Sequence, residues 1–496
     1  MDWEKLQNGS DIRGIALDGI PDENVNLTPA VVTTIAKAFV TWLRQRLGKE
    51  EVTLAIGTDS RISGPALKNA FIKGITEVGL TIYDCGLAST PAMFMTTVDK
   101  ENPVTAGVMI TASHLPFNRN GIKFFVKDGG LEKEDIAAIL DLASKKQLPV
   151  SRIGGKVETI DFMDQYTSHL VEYICREVNA ADYEHPLSGM HIIVDAGNGD
   201  GGFFVDRVLN KLGADTMGSQ FLEPDGHFPN HIPNPENPDA MASICQAVVQ
   251  SHADMGIIFD TDVDRSAIVD KAGEPINRNT LIALIATVIL REHKGSTIVT
   301  DSVTSDGLSD FIVSKGGRHH RFKRGYRNVI DEGIRLNHTG EECWLAIETS
   351  GHAALRENYF LDDGAYLVAK LIVEAARLKK EGKELQDLIR DLKQPVESTE
   401  LRYIVTANNV QNYGQHVLDG IAEAVKSQAD WKMVIPNYEG IRVSCTALDE
   451  QGWFLLRKSL HDPVLPLNIE SNVKGGVEHI SRRICGFLEE YDKLKK

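Results

Sequence analysis

Three times in the first two thirds of the chain, an apolar run breaks into a polar turn and continues as a helix-like stretch that stops at glycine. The segments are residues 52–61 leading to Gly79, residues 190–199 leading to Gly213, and residues 296–301 leading to Gly316-Gly317. Each predicts strand, turn, helix and strand, with the glycine supplying the left-handed backbone that ends a helix. Helices that cross between strands of one sheet leave few topologies open. The expectation is an α/β chain of three related domains with mixed sheets. Thr28-Pro29 opens a helix running to Leu47-Gly48, and Gly64-Pro65 opens another. The last hundred or so residues lack a fourth copy and read as α+β, with a helix over 410–426, several strands and a final helix over about 474–492. Breaks near Gly154-Gly155, near Gly273 and near Gln394-Pro395 give domains 1–155, 156–273, 274–394 and 395–496.

One segment ends its strand in unusual chemistry. The apolar run 104–110 is followed by Thr111-Ala-Ser113-His114-Leu-Pro-Phe-Asn-Arg-Asn120-Gly121-Ile-Lys123. A strand end opening into a polar loop is where α/β proteins place reactive groups. Ser113 is a hydroxyl on a stiff support, and Lys123 is a cation that a folded-back loop brings beside it. A Ser-His turn with a proline stop and an Asn-Gly bend is also ordinary turn chemistry.

A second segment repeats the design. Met255-Gly-Ile-Ile-Phe is followed by Asp260-Thr-Asp262-Val-Asp264-Arg265. In an extended segment alternate side chains leave on one side, so the three carboxylates converge. Such anions repel one another unless a cation sits among them, and oxygen ligands without His or Cys point to Mg²⁺. The alternative is a solvated acidic turn whose aspartates cap backbone amides.

Together these two loops resemble those of the α-D-phosphohexomutase superfamily, the phosphomannomutases, phosphoglucomutases and phosphoglucosamine mutases. That family's serine loop reads T-x-S-H-N-P with N-G-x-K after it, and Leu115 replaces its asparagine here. Its metal loop reads D-G-D-x-D-R. The resemblance implies three α/β domains and a C-terminal α+β domain around a central cleft. It implies that Ser113 carries a phosphoryl group, gives it to O6 or O1 of a hexose monophosphate and recovers one from the resulting bisphosphate. One Mg²⁺ per chain, held by Asp260, Asp262, Asp264 and Ser113, would neutralise charge, with hexose 1,6-bisphosphate as activator. Lys123 and His352 are candidates for proton transfer, assisted by Arg13 in the turn Asn8-Gly-Ser-Asp-Ile-Arg13-Gly14.

The same resemblance assigns substrate contacts. Glu348-Thr-Ser350-Gly-His352 is similar to the family's G-E-x-S-G-H sugar loop, with Ile347 at the glycine position. Lys323, Arg324 and Tyr326 are similar to its sugar-choosing loop, and Arg265 adds a cation beside the metal loop. The phosphate loop R-x-S-G-T-E-P-x-x-R is the weakest match. Arg457, Lys458, Ser459 and His461 occupy its place before Asp462-Pro463, and its downstream arginine has become Asn468 or a neighbour.

A net charge of −17 argues against nonspecific nucleic-acid binding and requires a local basic cluster for an anionic substrate. The longest apolar run, 281–290, is too short to span a bilayer, and no signal-peptide pattern opens the chain, so a cytoplasmic protein without membrane contact is expected. Six cysteines at separations of forty residues or more indicate neither zinc nor a disulfide framework. The expected activity is a phosphohexomutase acting on mannose and/or glucose phosphates, as a monomer or homodimer. The alternatives are a phosphoglucosamine mutase and a catalytically weak sugar-phosphate binder. A serine phosphatase is disfavoured, because no nucleophile elbow is present.

Overall fold

The computed structural model describes residues 2–459 and 462–496, so His461 lies outside the described residues. The chain forms two compact units, Met1–Leu281 with Ser350–Asp387, and Ile282–Thr349 with Leu388–Lys496.

In the first unit, β1 (Asp11–Ile15), α1 (Pro29–Leu47), β2 (Leu54–Thr58), α2 (Gly64–Thr76), β3 (Thr81–Leu87), α3 (Thr90–Val98), β4 (Ala106–Ile110), β5 (Arg119–Val126), α4 (Lys133–Ser144), β6 (Lys156–Thr159) and α5 (Phe162–Val178) follow in order. The principal strand order is β1-β5-β4-β2-β3-β6. The sheet is mixed: β2 runs parallel to β3 and β4, whereas β5 is antiparallel to β1 and β4. α1 begins as its sequence demands, with the Thr28 hydroxyl accepting from the Val31 amide, Pro29 in the first turn, and Gly48 ending it at φ 63°. Its buried stripe of Val32, Ile35, Phe39 and Leu43 keeps helical spacing and meets Phe71 and Phe124 in the core.

Register decides what this sheet can do. Thr58 pairs with Ile110, so the loops leaving β2 and β4 emerge side by side. β5 returns antiparallel and sets Lys123 opposite Met109.

β7 (Ile192–Asp195), α6 (Pro238–Ser251), β8 (Met255–Phe259) and β9 (Ser266–Asp270) build a second mixed sheet, with β8 parallel to β7 and antiparallel to β9. Here the sequence expectation is corrected twice. The helix of the second repeat is only a short π-helical stretch, Phe204–Leu209, and the strand after it is reduced to bridges at Asp215 and Gln220. The glycines ahead of it serve close contact: a Cβ on Gly202 would lie 2.4 Å from the Leu222 carbonyl oxygen, and one on Gly201 2.9 Å from Phe259. Nor do Asp260, Asp262 and Asp264 lie on an extended strand. Phe259 pairs with Ser266, so residues 260–265 form a tight turn with Val263 at φ 66°, and turn geometry gathers the carboxylates.

The second unit contains β10 (Thr297–Thr300), α7 (Asp306–Ser314), β11 (Arg318–Arg321), α8 (Tyr326–His338) and β12 (Cys343–Ile347), with β10 parallel to both other strands. It then adds β13 (Glu397–Val405), α9 (Val410–Lys426), β14 (Trp431–Met433), β15 (Ile441–Cys445), β16 (Gly452–Leu456), β17 (Val464–Ser471), α10 (Gly476–Leu488) and β18 (Leu494–Lys495). These last strands form an antiparallel sheet ordered β14-β15-β16-β17-β13-β18. α9 and α10 cover one face, burying Val417, Ile421, Ile480 and Ile484 against Tyr403, Phe454, Leu456, Leu465 and Leu467. The three α/β layers and the final α+β domain agree with the sequence reading. Among the described residues no helix is long and apolar enough to cross a membrane.

Candidate active site

At the end of β4 the backbone turns sharply at Ser113, whose φ of 50° lies in the left-handed region that L residues avoid. Such a conformation persists only where its surroundings dictate it. Arg61 does this. Fully buried on the neighbouring β2 loop, its guanidinium donates to the carbonyl oxygens of Ser113, Leu115 (2.6 Å), Pro116 (2.9 Å) and Arg119 (3.0 Å). Asp59 aims it, accepting from the Arg61 amide at 3.0 Å and standing 3.4 Å from Nε. Asp59 also accepts from the Thr111 hydroxyl at 2.6 Å, and Thr111 Oγ1 accepts from the Ser113 amide at 2.9 Å. Sequence reasoning took residues 59–61 as a generic polar turn and missed this framework.

Ser113 Oγ donates to Asp260 Oδ2 at 2.7 Å and accepts from Arg265 Nη2 at 2.7 Å. The expected serine and the first expected metal aspartate are thus in direct contact. The acidic turn is braced from three sides. The Asp200 amide donates to the Thr261 carbonyl oxygen at 2.8 Å, the Thr90 hydroxyl donates to Asp262 Oδ2 at 2.5 Å, and Arg265 Nε donates to Asp260 Oδ2 at 3.0 Å. Lys123 Nζ reaches in from β5 and donates to Asp262 Oδ2 at 3.0 Å and to Asp264 Oδ2.

This packing splits the acids. Burial pushes the Asp260 carboxyl up to about 8 against the pull of Arg265, with Asp264 and Asp262 adding to the rise. Burial also opposes charge on Asp262, yet Lys123 and the Thr90 hydroxyl outweigh it and hold that carboxyl below its usual range. Asp260, Asp262 and Asp264 each offer an oxygen to one point, the three atoms lying within 4.8 Å of one another. Asp262 Oδ1 and Asp264 Oδ1 are buried and accept no hydrogen bond among the described residues. Three carboxyl groups converging on one point, two of them with a buried oxygen left unpaired among the described residues, fit a divalent metal ion.

His352 approaches from the other stretch of the same unit. Gly351 packs so closely on the Ser266 backbone that a Cβ there would lie 2.7 Å from its carbonyl oxygen, and His352 bridges to Arg265 through the backbone. His352 Nδ1 lies 2.7 Å from Asp362 Oδ2 and 3.8 Å from Asp264 Oδ1. Burial alone would depress this imidazole, but Asp362 and Asp264 raise it to about 9. Asp362 is a second partner that sequence reasoning missed. Arg13 is tied to Asp11 at 2.9 Å and donates to the Ala112 carbonyl oxygen at 3.0 Å, beside the serine loop. His114 is held neutral: burial, then Arg265 and Arg13, push it down to about 2, and its Nδ1 accepts from Arg265 at 2.7 Å. Ser350 is buried immediately before Gly351.

The remaining expected contacts belong to the second unit. Glu348 Oε1 accepts from the Gly325 amide at 2.6 Å, tying the sugar loop to the turn of Lys323, Arg324 and Tyr326. Glu439, a residue the sequence did not single out, accepts from the Arg324 amide at 3.2 Å and from the Ser302 hydroxyl. Arg457 is buried, and Glu439, Arg324, Glu400 and Asp301 are the charges that act on it most. Lys458 is turned out of this group, donating to Gln415 on α9 at 3.2 Å. Ser459 accepts from the Asp462 amide at 3.3 Å.

Along most of its length the chain is similar to known proteins. Residues 4–149, 164–273 and 277–396 match the models of phosphoglucomutase/phosphomannomutase alpha/beta/alpha domains I, II and III. The chain is 30% identical over 438 residues to the phosphomannomutase/phosphoglucomutase of Pseudomonas putida, covering 88% of this chain and 87% of that one. A crystal structure of a phosphoglucomutase/phosphomannomutase family protein from Burkholderia thailandensis superposes with a TM-score of 0.80 at 24% identity, covering 98% of each chain. An N-acetylphosphoglucosamine mutase of Aspergillus fumigatus, solved with GlcNAc-6P and magnesium, shares the fold at a TM-score of 0.55 and 11% identity over 93% of each chain. With three domain models matched along most of its length and a serine, a lysine and three aspartates joined in one buried cluster, the chain belongs to the phosphoglucomutase/phosphomannomutase family of mutases.

Proposed function

We propose that this chain interconverts hexose 6-phosphates and hexose 1-phosphates, of mannose and/or glucose, by way of a phosphorylated Ser113 and a hexose 1,6-bisphosphate. The observation that carries the reading is the contact of Ser113 Oγ with both Asp260 and Arg265, 2.7 Å to each. A hydroxyl placed between a carboxylate and a guanidinium, on a backbone that four carbonyl contacts from Arg61 hold rigid, suits a group that is loaded and unloaded without moving. Asp260, Asp262 and Asp264 would hold Mg²⁺. When bound, the ion supplies positive charge against the phosphoryl oxygens, the chief demand of such a transfer.

The rest follows from the protein's own groups. Arg265 directs one terminal nitrogen at Ser113 Oγ and stays charged throughout, so it steadies the oxygen from which the phosphoryl group departs. His352 is held by Asp362 through Nδ1, and on this reading its Nε2 would exchange a proton with a sugar hydroxyl. Arg13 brings charge to the serine loop through the Ala112 carbonyl oxygen, and Lys123 brings it to the acidic turn. In the second unit, Glu348 and the turn 323–326 supply hydrogen-bonding groups for the sugar, and Arg457 with Ser459 takes the phosphate that is not reacting. A bisphosphate-primed assay with mannose, glucose and glucosamine 1-phosphates tests this reading. Turnover of the first two supports it, turnover of the glucosamine phosphate alone changes the sugar, and turnover of none leaves a binding protein.

A further inference from the structure

One face of the antiparallel sheet in the second unit carries charge where the other carries α9 and α10. Across three adjacent strands Leu455, Asn468 and Glu400 form one row. In the next row Pro466 pairs with Arg402 on one side and accepts from the Arg457 amide at 3.1 Å on the other. Because side chains alternate along a strand, Glu400 and Arg402 share the face opposite Leu401 and Tyr403, which pack on the helices.

Arg457 is 5% exposed, and its Nε is buried without a hydrogen-bond partner among the described residues. A buried guanidinium left in that state is costly unless an anion completes it. A phosphate monoester carries close to two negative charges and calls for a second cation, so the neighbouring cations are candidates. Lys458 is committed to Gln415. Arg442 is spent on the carbonyl oxygens of Ser302 and Thr304, on Asp306 and on the face of Trp453, 3.6 Å away. Arg321 is spent on Ser305 and Asp306.

Arg402 remains. It donates only through Nε, to Glu400 Oε1 at 2.9 Å, which leaves its two terminal nitrogens without partners among the described residues. Glu400 is itself fixed by Asn468, whose Nδ2 donates to Glu400 Oε2 at 3.0 Å. Both carboxylate oxygens are thus engaged, and the charges of Arg402 and Arg457 both act on the group. We infer that Arg402 is a phosphate-binding residue that completes the site of Arg457, with Glu400 and Asn468 as positioning residues that aim its guanidinium. The inference rests on the reading that the substrate is a phosphate monoester.

The test is equilibrium binding of glucose 6-phosphate by calorimetry, which does not depend on turnover. Removing one charged donor from a phosphate typically weakens binding by about tenfold or more. Arg402→Gln is therefore expected to raise the Kd about tenfold and, in the mutase assay, to raise KM more than it lowers kcat. Because position 468 adjoins the same row, the double variant Arg402→Gln/Asn468→Arg is expected to recover most of the affinity. An unchanged Kd in Arg402→Gln overturns the inference. So does a weakened Kd that Asn468→Arg leaves unrepaired, which makes Arg402 structural. Wild-type protein that binds the sugar phosphate without turning it over refutes the mutase reading and leaves these outcomes decisive.

Discussion

Lys123 Nζ lies 3.0 Å from Asp262 Oδ2 and also donates to Asp264, so the lysine occupies the electrostatic centre of the acidic turn. The contact has a directional consequence for metal binding. Lys123→Met leaves three buried carboxylates without that neutralising amine, and the site then depends more on an added ion. The variant should be less stable than wild type without divalent metal, and Mg²⁺ should raise its Tm by more than it raises that of wild type. Differential scanning fluorimetry across a magnesium series reads this directly, and an equal rise in both proteins counts against the arrangement.

Ser113→Ala removes the oxygen between Asp260 and Arg265 without disturbing the carbonyl contacts of Arg61. Turnover should fall by at least about a thousandfold, as expected when a covalent nucleophile is lost. The Tm should change little. The coupled mutase assay and a thermal melt on the same sample check both halves.

Arg61→Ala strips four carbonyl oxygens of their donor and leaves Asp59 buried without its cation. Losing one partner of a fully buried ion pair costs about 3–5 kcal/mol. Denaturant unfolding measures that cost, and activity should fall with it because the left-handed turn at Ser113 loses its support.

Much of this was legible in the sequence, and the reason is local. Ser113 and the three aspartates announce themselves because each loop follows its own strand, so spacing alone carries the signal. Arg61, Asp59, Thr90, Asp362 and Glu439 act across distances that spacing does not encode. One signal for Arg61 was present: residues 52–61 and 104–113 both read as a strand ending in a polar loop, and parallel pairing of the two strands puts those loops together. The shape of the metal turn was hidden because Asp-x-Asp-x-Asp suits an extended strand, whereas the antiparallel return of β9 forces Val263 into a left-handed conformation. The short second helix was hidden by glycines 199, 201 and 202, which serve close packing where the repeat predicts helix.

A pH effect is expected in the second unit. Burial raises the Glu470 carboxyl from its ordinary 4.5 to about 7, with Arg442 and the Trp453 indole pulling the other way. Because the folded value lies above the unfolded one, the folded protein binds the extra proton between pH 4.5 and about 7, and stability falls as pH rises through that window. Below 4.5 the contribution is complete, and above about 7 it is gone. Glu470→Gln should flatten this part of the Tm–pH curve. Melting curves from pH 4 to 8, a range set to bracket the shift, compare the two proteins.

The amine of Lys123 gives the protein a built-in counter-ion. A chain made where divalent ions are scarce need not wait for one to bury its acids, because the lysine already balances two of them.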